Sequence, residues 1–233
     1  MKYWFEWNGV DCRTKGIRLQ SMPEIQRPEE RVSHVVIPGR AGELTQTEGA
    51  DIYNSYIQTI PLIIDNAADV SAAEKWLRGD GYVTFSSQQN LKQRARVINA
   101  VTFTKHSRNS SWWEGQVQFY CEPLKEQKSE TAVEVTESGT VVSNPGDVES
   151  RPRITITGSG NVTIRIGSNS ISITGSESGW VIDSDTQWVL NASGTPQMGV
   201  YTGNFPVMAP GNNTIQFTGS ITKLTIEGRW RYL

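Results

Sequence analysis

Gln116-Val117-Gln118-Phe119-Tyr120-Cys121 alternates with period two, so Val117, Phe119 and Cys121 share one face of an extended strand. The same texture spreads outward. Ile60-Pro61-Leu62-Ile63-Ile64, Tyr82-Val83-Thr84-Phe85 and Ala95 to Phe103 read as strands, separated by Gly, Asn and Ser punctuation. One short helix interrupts them. Ser71 and Glu74 form a capping-box pattern, Ala72, Ala73, Trp76 and Leu77 supply a narrow apolar stripe, and Gly79 can end the helix in a left-handed conformation. A helix this short is marginal alone and needs a sheet to pack on.

Beyond Pro123 the texture changes. Leu124-Lys125-Glu126-Gln127-Lys128-Ser129-Glu130 is polar and reads as a linker. After it, Ile154–Thr157, Val162–Ile166, Ile171–Thr174 and Thr214–Phe217 alternate with period two, with Gly158-Ser159-Gly160 and Gly175-Ser176 read as turns between strands. Short strands between regular turns are the pattern of a sandwich or jelly roll. The chain therefore reads as all-β with one short helix, in two β domains, 1–128 and 129–233.

Composition narrows function. The chain has 233 residues, 36% hydrophobic and 20% charged, with a formal net charge of -2. Lys and Arg are not clustered, so neither nucleic acid nor an anionic membrane is favoured as a partner. The start, Met1-Lys2-Tyr3-Trp4-Phe5-Glu6-Trp7, carries charge where a secretory segment would be apolar, and no apolar run reaches the length of a membrane helix. The expectation is synthesis in the cytosol, with export only as part of a particle. Cys12 and Cys121 are expected as buried thiols. With His34 and His106 they lack the short ligand spacing of structural zinc sites, so neither metal nor cofactor is expected.

Several pieces of the sequence, weak singly, occur in a telling order. They are Phe5-Glu6-Trp7-Asn8-Gly9-Val10, Ile37-Pro38-Gly39-Arg40-Ala41-Gly42, Trp76-Leu77-Arg78-Gly79-Asp80-Gly81 and Phe119-Tyr120-Cys121-Glu122-Pro123 in the first half. In the second half come Asn144-Pro145-Gly146, Arg151-Pro152-Arg153-Ile154 running to Gly160, Asn204-Phe205-Pro206-Val207 before Pro210-Gly211, and Arg229-Trp230-Arg231. Over nearly its whole length the chain resembles the distal tail proteins of long-tailed phages and prophages. The resemblance implies a tail-tube-like β-barrel or sandwich over 1–128 that forms a hexameric ring, and a galectin-like β-sandwich over 129–233 outside it. It implies a virion structural protein at the tail tip. Its partners would be further copies of itself, the major tail tube protein, and the tail-tip or receptor-binding proteins. Two departures stand out. Leu91-Lys92-Gln93-Arg94 replaces the aromatic pair often found there, and the second domain is too short for an inserted carbohydrate-binding module.

The segment Arg27–Ala50 is expected to be a projecting arm or hairpin that contacts a neighbouring subunit. Its proline-broken charged start disfavours a central strand, and Val35-Val36-Ile37 must face both ways if extended. Gly39 and Gly42 let the chain bend around Arg40, whose guanidinium could fork onto carboxylates or carbonyls of a neighbour; a solvated hairpin tip is the other reading. Val36, Ile37, Gly39, Arg40 and Gly42 are thus candidate contact residues. Trp112-Trp113 adds an outward indole, assigned to Trp113 as a further anchor.

A carbohydrate-binding module for host-surface sugar is the alternative function. Trp180, alternating with Ile182, reads as core, whereas Trp188 and Trp230 could be either core or sugar platforms. Asp183 and Asp185 could form a glycosidase pair but read better as a strand running into a turn. No Gly-x-Ser-x-Gly elbow and no phosphate loop occurs. No catalytic residue is assigned.

Overall fold

A computed structural model describes residues 2–105, 107 and 110–233. The chain divides into two compact units, Met1–Lys128 with Leu233, and Ser129–Tyr232. The fold is all-β with a single α-helix among the described residues.

In the first unit the strands are β1 (Phe5–Trp7), β2 (Val10–Asp11), β3 (Ile17–Leu19), β4 (Val32–Val35), β5 (Leu44–Thr47) and β6 (Tyr56–Ile64). Helix α1 (Ala67–Trp76) follows, then β7 (Asp80–Phe85), β8 (Leu91–Val97), β9 (Phe103–Lys105) and β10 (Trp113–Gln127). The main sheet runs β2-β1-β7-β8-β10-β6-β3, with β9 also beside β10, while β4 and β5 pair only with each other. The alternation along β10 is realised: Val117, Phe119 and Cys121 are fully buried. Phe119 meets Trp7 and Phe5 at ring-centroid separations of 5.2 and 5.5 Å, within the range of favourable aromatic pairing.

Three expectations are corrected here. Helix α1 starts not at Ser71 but at Ala67, because Asn66 is extended and its side chain accepts a hydrogen bond from Ala68 N at 3.1 Å, capping the helix a turn earlier. Its packed face is Val70, Ala73, Trp76 and Leu77, so Ala72 turns to solvent. Gly79 does take positive φ, two residues beyond the cap at Leu77. The strand read from Ala95 to Phe103 stops at Val97, and Phe103 begins β9. Between them the Asn99 amide takes the place of a strand backbone: it donates to Gln116 O at 2.9 Å and accepts from Gln118 N at 2.7 Å. Finally, Leu124–Gln127 is no linker. After a register shift between Cys121 and Lys125, β10 continues opposite Gln93, Lys92 and Leu91. The polar residues there are those of a strand: Lys92–Glu126 and Arg94–Glu122 pair across its exposed face, both at 3.4 Å.

The second unit contains β11 (Val133–Val135), β12 (Thr140–Asn144), β13 (Arg153–Ile166), β14 (Asn169–Ile173), β15 (Trp180–Asp183), β16 (Trp188–Asn191), β17 (Tyr201–Gly203) and β18 (Gly211–Glu227). Strand β13 pairs with β18 along most of its length, with β15 at its start and with β14 at its end. Gly158-Ser159-Gly160 was expected as a turn. It lies inside β13, where the pairing with β18 slips at Thr157/Gly158 and again at Ser159/Val162. A Cβ on Gly158 would stand 2.3 Å from Ser220 O, so glycine is what lets the bulged strands stay in contact. Ile154, Ile164, Ile171, Ile182, Ile215, Leu224 and Ile226 fill the core, and Trp180 is buried with them.

The Asp183 carboxylate closes this unit. It takes a forked pair of hydrogen bonds from Arg229, 2.8 and 2.9 Å, and accepts from the N–H groups of Asp185 and Thr186. Burial pushes its pKa upward, but the Arg229 fork and the two N–H donors prevail and hold it at about 2. Against an ordinary value of 3.8, the shift corresponds to about 2 kcal/mol of stability. Because the folded-state pKa is depressed, this contribution is complete above about pH 4 and disappears as pH falls through 2. In paired denaturant melts, Asp183→Asn should therefore trail the parent protein by about 2 kcal/mol at pH 7, the gap closing toward pH 2. A gap independent of pH would show that the charge is not what matters.

Candidate assembly interface

Strands β4 and β5 form a hairpin in register Val32↔Thr47, Ser33↔Gln46, His34↔Thr45 and Val35↔Leu44. Its base is set by Arg31 N donating to Ile52 O at 2.9 Å and Asn54 N donating to Glu29 O at 2.8 Å. Arg31 ties the two sides further, reaching Asn54 Oδ1 at 3.1 Å and Glu48 at 3.7 Å. At the far end Arg40 N donates to Ile37 O at 3.1 Å, with Pro38 and Gly39 central and Gly39 at φ +83°. That is a type II turn, which takes proline at its second position and glycine at its third. Gly42, at φ +82°, redirects the chain into β5.

The hairpin has no packed face. Val35, Val36, Ile37 and Leu44 are all exposed, Val36 to 72%. Val35 and Leu44 sit directly opposite each other in register, and Val36 and Ile37 extend the apolar surface toward the turn. Among the described residues, the Arg40 guanidinium has no hydrogen-bond or ion-pair partner. The structure thus brings Val36, Ile37, Gly39, Arg40 and Gly42 together at one tip. Leu44 was missed by sequence reading. Its only signal is the short alternation Leu44-Thr45-Gln46-Thr47.

The tryptophans are distributed differently from the expectation. Trp113 packs partly buried against the core, because its position at the start of β10 opposite Ile64 turns it inward. The outward indole is Trp112, 38% exposed, with Nε1 donating to Glu114 at 3.1 Å. Trp230 is no sugar platform. It is 5% exposed and lies in the core of the second unit, held by the Glu130 carboxylate, which accepts from the N–H groups of Gly228 and Arg229. A Cβ on Gly228 would collide with the Trp230 ring at 2.1 Å. Trp188 is on the surface.

The carboxylates of Asp183 and Asp185 are engaged by arginines. Asp183 is held by Arg229, and Asp185 accepts from Arg231 at 2.7 Å. A glycosidase acid needs a raised pKa, and that of Asp183 is lowered. Burial pushes the Cys12 thiol to about 11 and the Cys121 thiol to about 12, where neither is a nucleophile. Cys12 is in the core while His34 is on the exposed hairpin, beside Thr45 and Glu43. His106, the other histidine weighed as a zinc ligand, lies outside the described residues. No group of three or more potential metal ligands occurs among the described residues.

A Gly39→Ala substitution would force a side chain into the left-handed region with nothing to contact. Hydrogen exchange at Val32–Val35 and Leu44–Thr47 should accelerate, reflecting a local cost of about 1–2 kcal/mol, while the thermal melt of the protein stays unchanged. A lowered melt would mean that the hairpin belongs to the core.

No protein-family profile and no curated protein matches the chain. Among solved structures it is similar to the Dit protein (gp 19.1) of phage SPP1, described as a paradigm of the hub adsorption apparatus in phages that infect Gram-positive bacteria. The TM-score is 0.82 and the identity 15%, with 99% of each chain covered. From end to end, therefore, the chain has the fold of a phage distal tail protein.

Proposed function

We propose that this protein is the distal hub of a phage tail, a non-enzymatic virion component that assembles as a hexameric ring between the tail tube and the tip or receptor-binding apparatus. The observation that carries this reading is the end-to-end likeness to a hub adsorption protein in both units. The physical feature that supports it is the hairpin. A two-stranded sheet with four exposed apolar side chains is a poor element for an isolated monomer and a good one for an oligomer. The tip would insert against the next copy, with Val36 and Ile37 covered and Arg40 pairing with carboxylates or carbonyls there. In a closed ring each copy gives and receives the same contact. In this reading the first unit, residues 1–128, builds the ring, and the second, 129–233, lies outside it.

Covering Val36 alone would contribute about 1.5–3 kcal/mol per contact. Val36→Asp and Arg40→Ala should each raise the concentration midpoint of assembly by at least about tenfold, measured by light scattering, and reduce rings in micrographs of tails. The melt of the unassembled chain should not move. If the melt falls in step with assembly, or if neither changes, the hairpin is not the ring contact.

A further inference from the structure

A second apolar surface of the first unit lies at the foot of the hairpin, away from its tip. Strand β3 pairs with β6 only over Leu62–Ile64, so from Tyr56 to Pro61 that edge of β6 has no strand beside it among the described residues. The segment Ser21–Gln26 runs past this edge instead, tied to it by Gln58 Nε2 donating to Glu24 O at 3.4 Å. Between the two is a cleft of about 310 Å³, whose lining includes Met22, Pro23, Glu24, Ile57 and Pro61. Met22 and Ile57 are each nearly half exposed, as is Tyr120, which stands directly opposite Ile57 in register. Apolar surface left open in this way marks a contact site.

Cleft and tip are complementary. The tip, Val36–Gly42, carries exposed aliphatic side chains and one charge, that of Arg40. The cleft carries exposed apolar side chains and Glu24, whose carboxylate has no hydrogen-bond or ion-pair partner among the described residues. Glu29 and Glu30 follow it, and the cations of this stretch are Arg27 and Arg31, the second already engaged by Asn54 and Glu48. A copy's own tip does not reach its own cleft. The cleft adjoins the base rung, Glu29–Asn54, through Gln26 on one side and Ile57 on the other. The tip is roughly 20 Å away, at about 3.3 Å per residue along an extended strand. Base and turn are both pinned, so the hairpin does not double back.

We propose that this cleft receives the hairpin tip of a second copy of the chain, Val36 and Ile37 covering Met22 and Ile57 while Arg40 forks onto Glu24. The inference rests on the hub reading in taking the tip as an assembly contact, and it adds where that tip lands. Pro23 and Pro61 have no N–H to offer an added strand, so a compact turn that presents side chains suits the cleft better than a strand does. Because giver and receiver are different patches of one chain, the contact is head-to-tail. Such a contact closes into a ring or continues as an open filament, and leaves no copy with two tips buried against each other.

Cysteine pairs in the full chain test this, since the native Cys12 and Cys121 are buried and do not compete. Under copper-phenanthroline oxidation, a mixture of Arg40→Cys and Glu24→Cys chains should give a disulfide-linked dimer that neither variant gives alone. A chain with both substitutions should give a ladder of linked copies. A dimer of Arg40→Cys alone, an intrachain disulfide in the double variant, or equal crosslinking of Arg40→Cys to a Glu137→Cys control would each overturn the proposal. In light scattering, Glu24→Arg and Met22→Asp should each raise the concentration midpoint of assembly about tenfold, with the melt of the unassembled chain unchanged. Adding Arg40→Glu to Glu24→Arg should recover most of the loss; a swap that recovers nothing overturns the pairing. If Val36→Asp leaves assembly untouched, the tip contact and its receiver both fall. If Val36→Asp weakens assembly but Glu24→Arg and Met22→Asp do not, the receiver alone falls.

Discussion

Strand Trp113–Gln127 changes character at its bulge, and the exposed hairpin depends on that change. Up to Cys121 its inward residues are apolar; past the register shift the inward residue is Lys125, opposite Gln93. A buried amine is tolerable only when it is bonded. Lys125 Nζ donates to Gln26 O at 3.4 Å, and nearby Gln58 Nε2 donates to Glu24 O at 3.4 Å. Tyr56 and Gln93 complete this layer, exchanging hydrogen bonds at 2.9 and 3.0 Å. Burial pushes the Tyr56 phenol to about 12, so it stays neutral. The carbonyls so engaged belong to the stretch that leads directly into the hairpin and has no ladder of its own. Side chains from the polar end of the core supply the partners its backbone would otherwise lack.

The second unit solves a related problem by other means. Strands β13 and β18 run long enough to take part in pairings at both ends of the unit, and strands of that length must bend. Gly158 and Gly219 mark the bend: a Cβ at Gly219 would approach Asn161 O to 2.4 Å. At the chain's far end, Arg229 has φ +52°, an uncommon conformation for a long side chain. Its N–H is held by Glu130 and its guanidinium by Asp183. The same ion pair thus orders the edge of the core.

Much of this was legible in the sequence, for identifiable reasons. Period-two alternation located β10, and in the second unit it located the strands that carry Ile154, Ile164 and Ile171, because a half-buried strand imposes that period. The hairpin was legible because Pro-Gly at a turn and an unshielded Val-Val-Ile run are local signals. What failed was anything decided by tertiary partners. Asn99 standing in for a strand, Lys125 turned inward and Gly158-Ser159-Gly160 inside a strand all look like loop chemistry until the neighbouring backbone is known. Trp113 was misjudged for the same reason, and Trp230, left open between core and surface, is decided by the fold. Adjacent tryptophans announce that one faces out, but the strand's register decides which.

In the proposed assembly the hairpin would keep an apolar contact available without unfolding around it. A hairpin that was flexible in the monomer would lose entropy on docking, of the order of 1–2 kcal/mol for each residue ordered. Here most of that ordering is already done. The base is pinned by the rungs at Glu29–Arg31 and Ile52–Asn54, the tip by a turn whose proline and glycine prefer the angles they adopt, and the approach by Gln58 and Lys125. What remains undone is the covering of Val35, Val36, Ile37 and Leu44, and that is the part an incoming surface can supply. Contacts made by a preorganised element keep more of their gross energy. On this argument the polar interior of the first unit, which looks like a defect in its core, is what makes an exposed apolar tip useful.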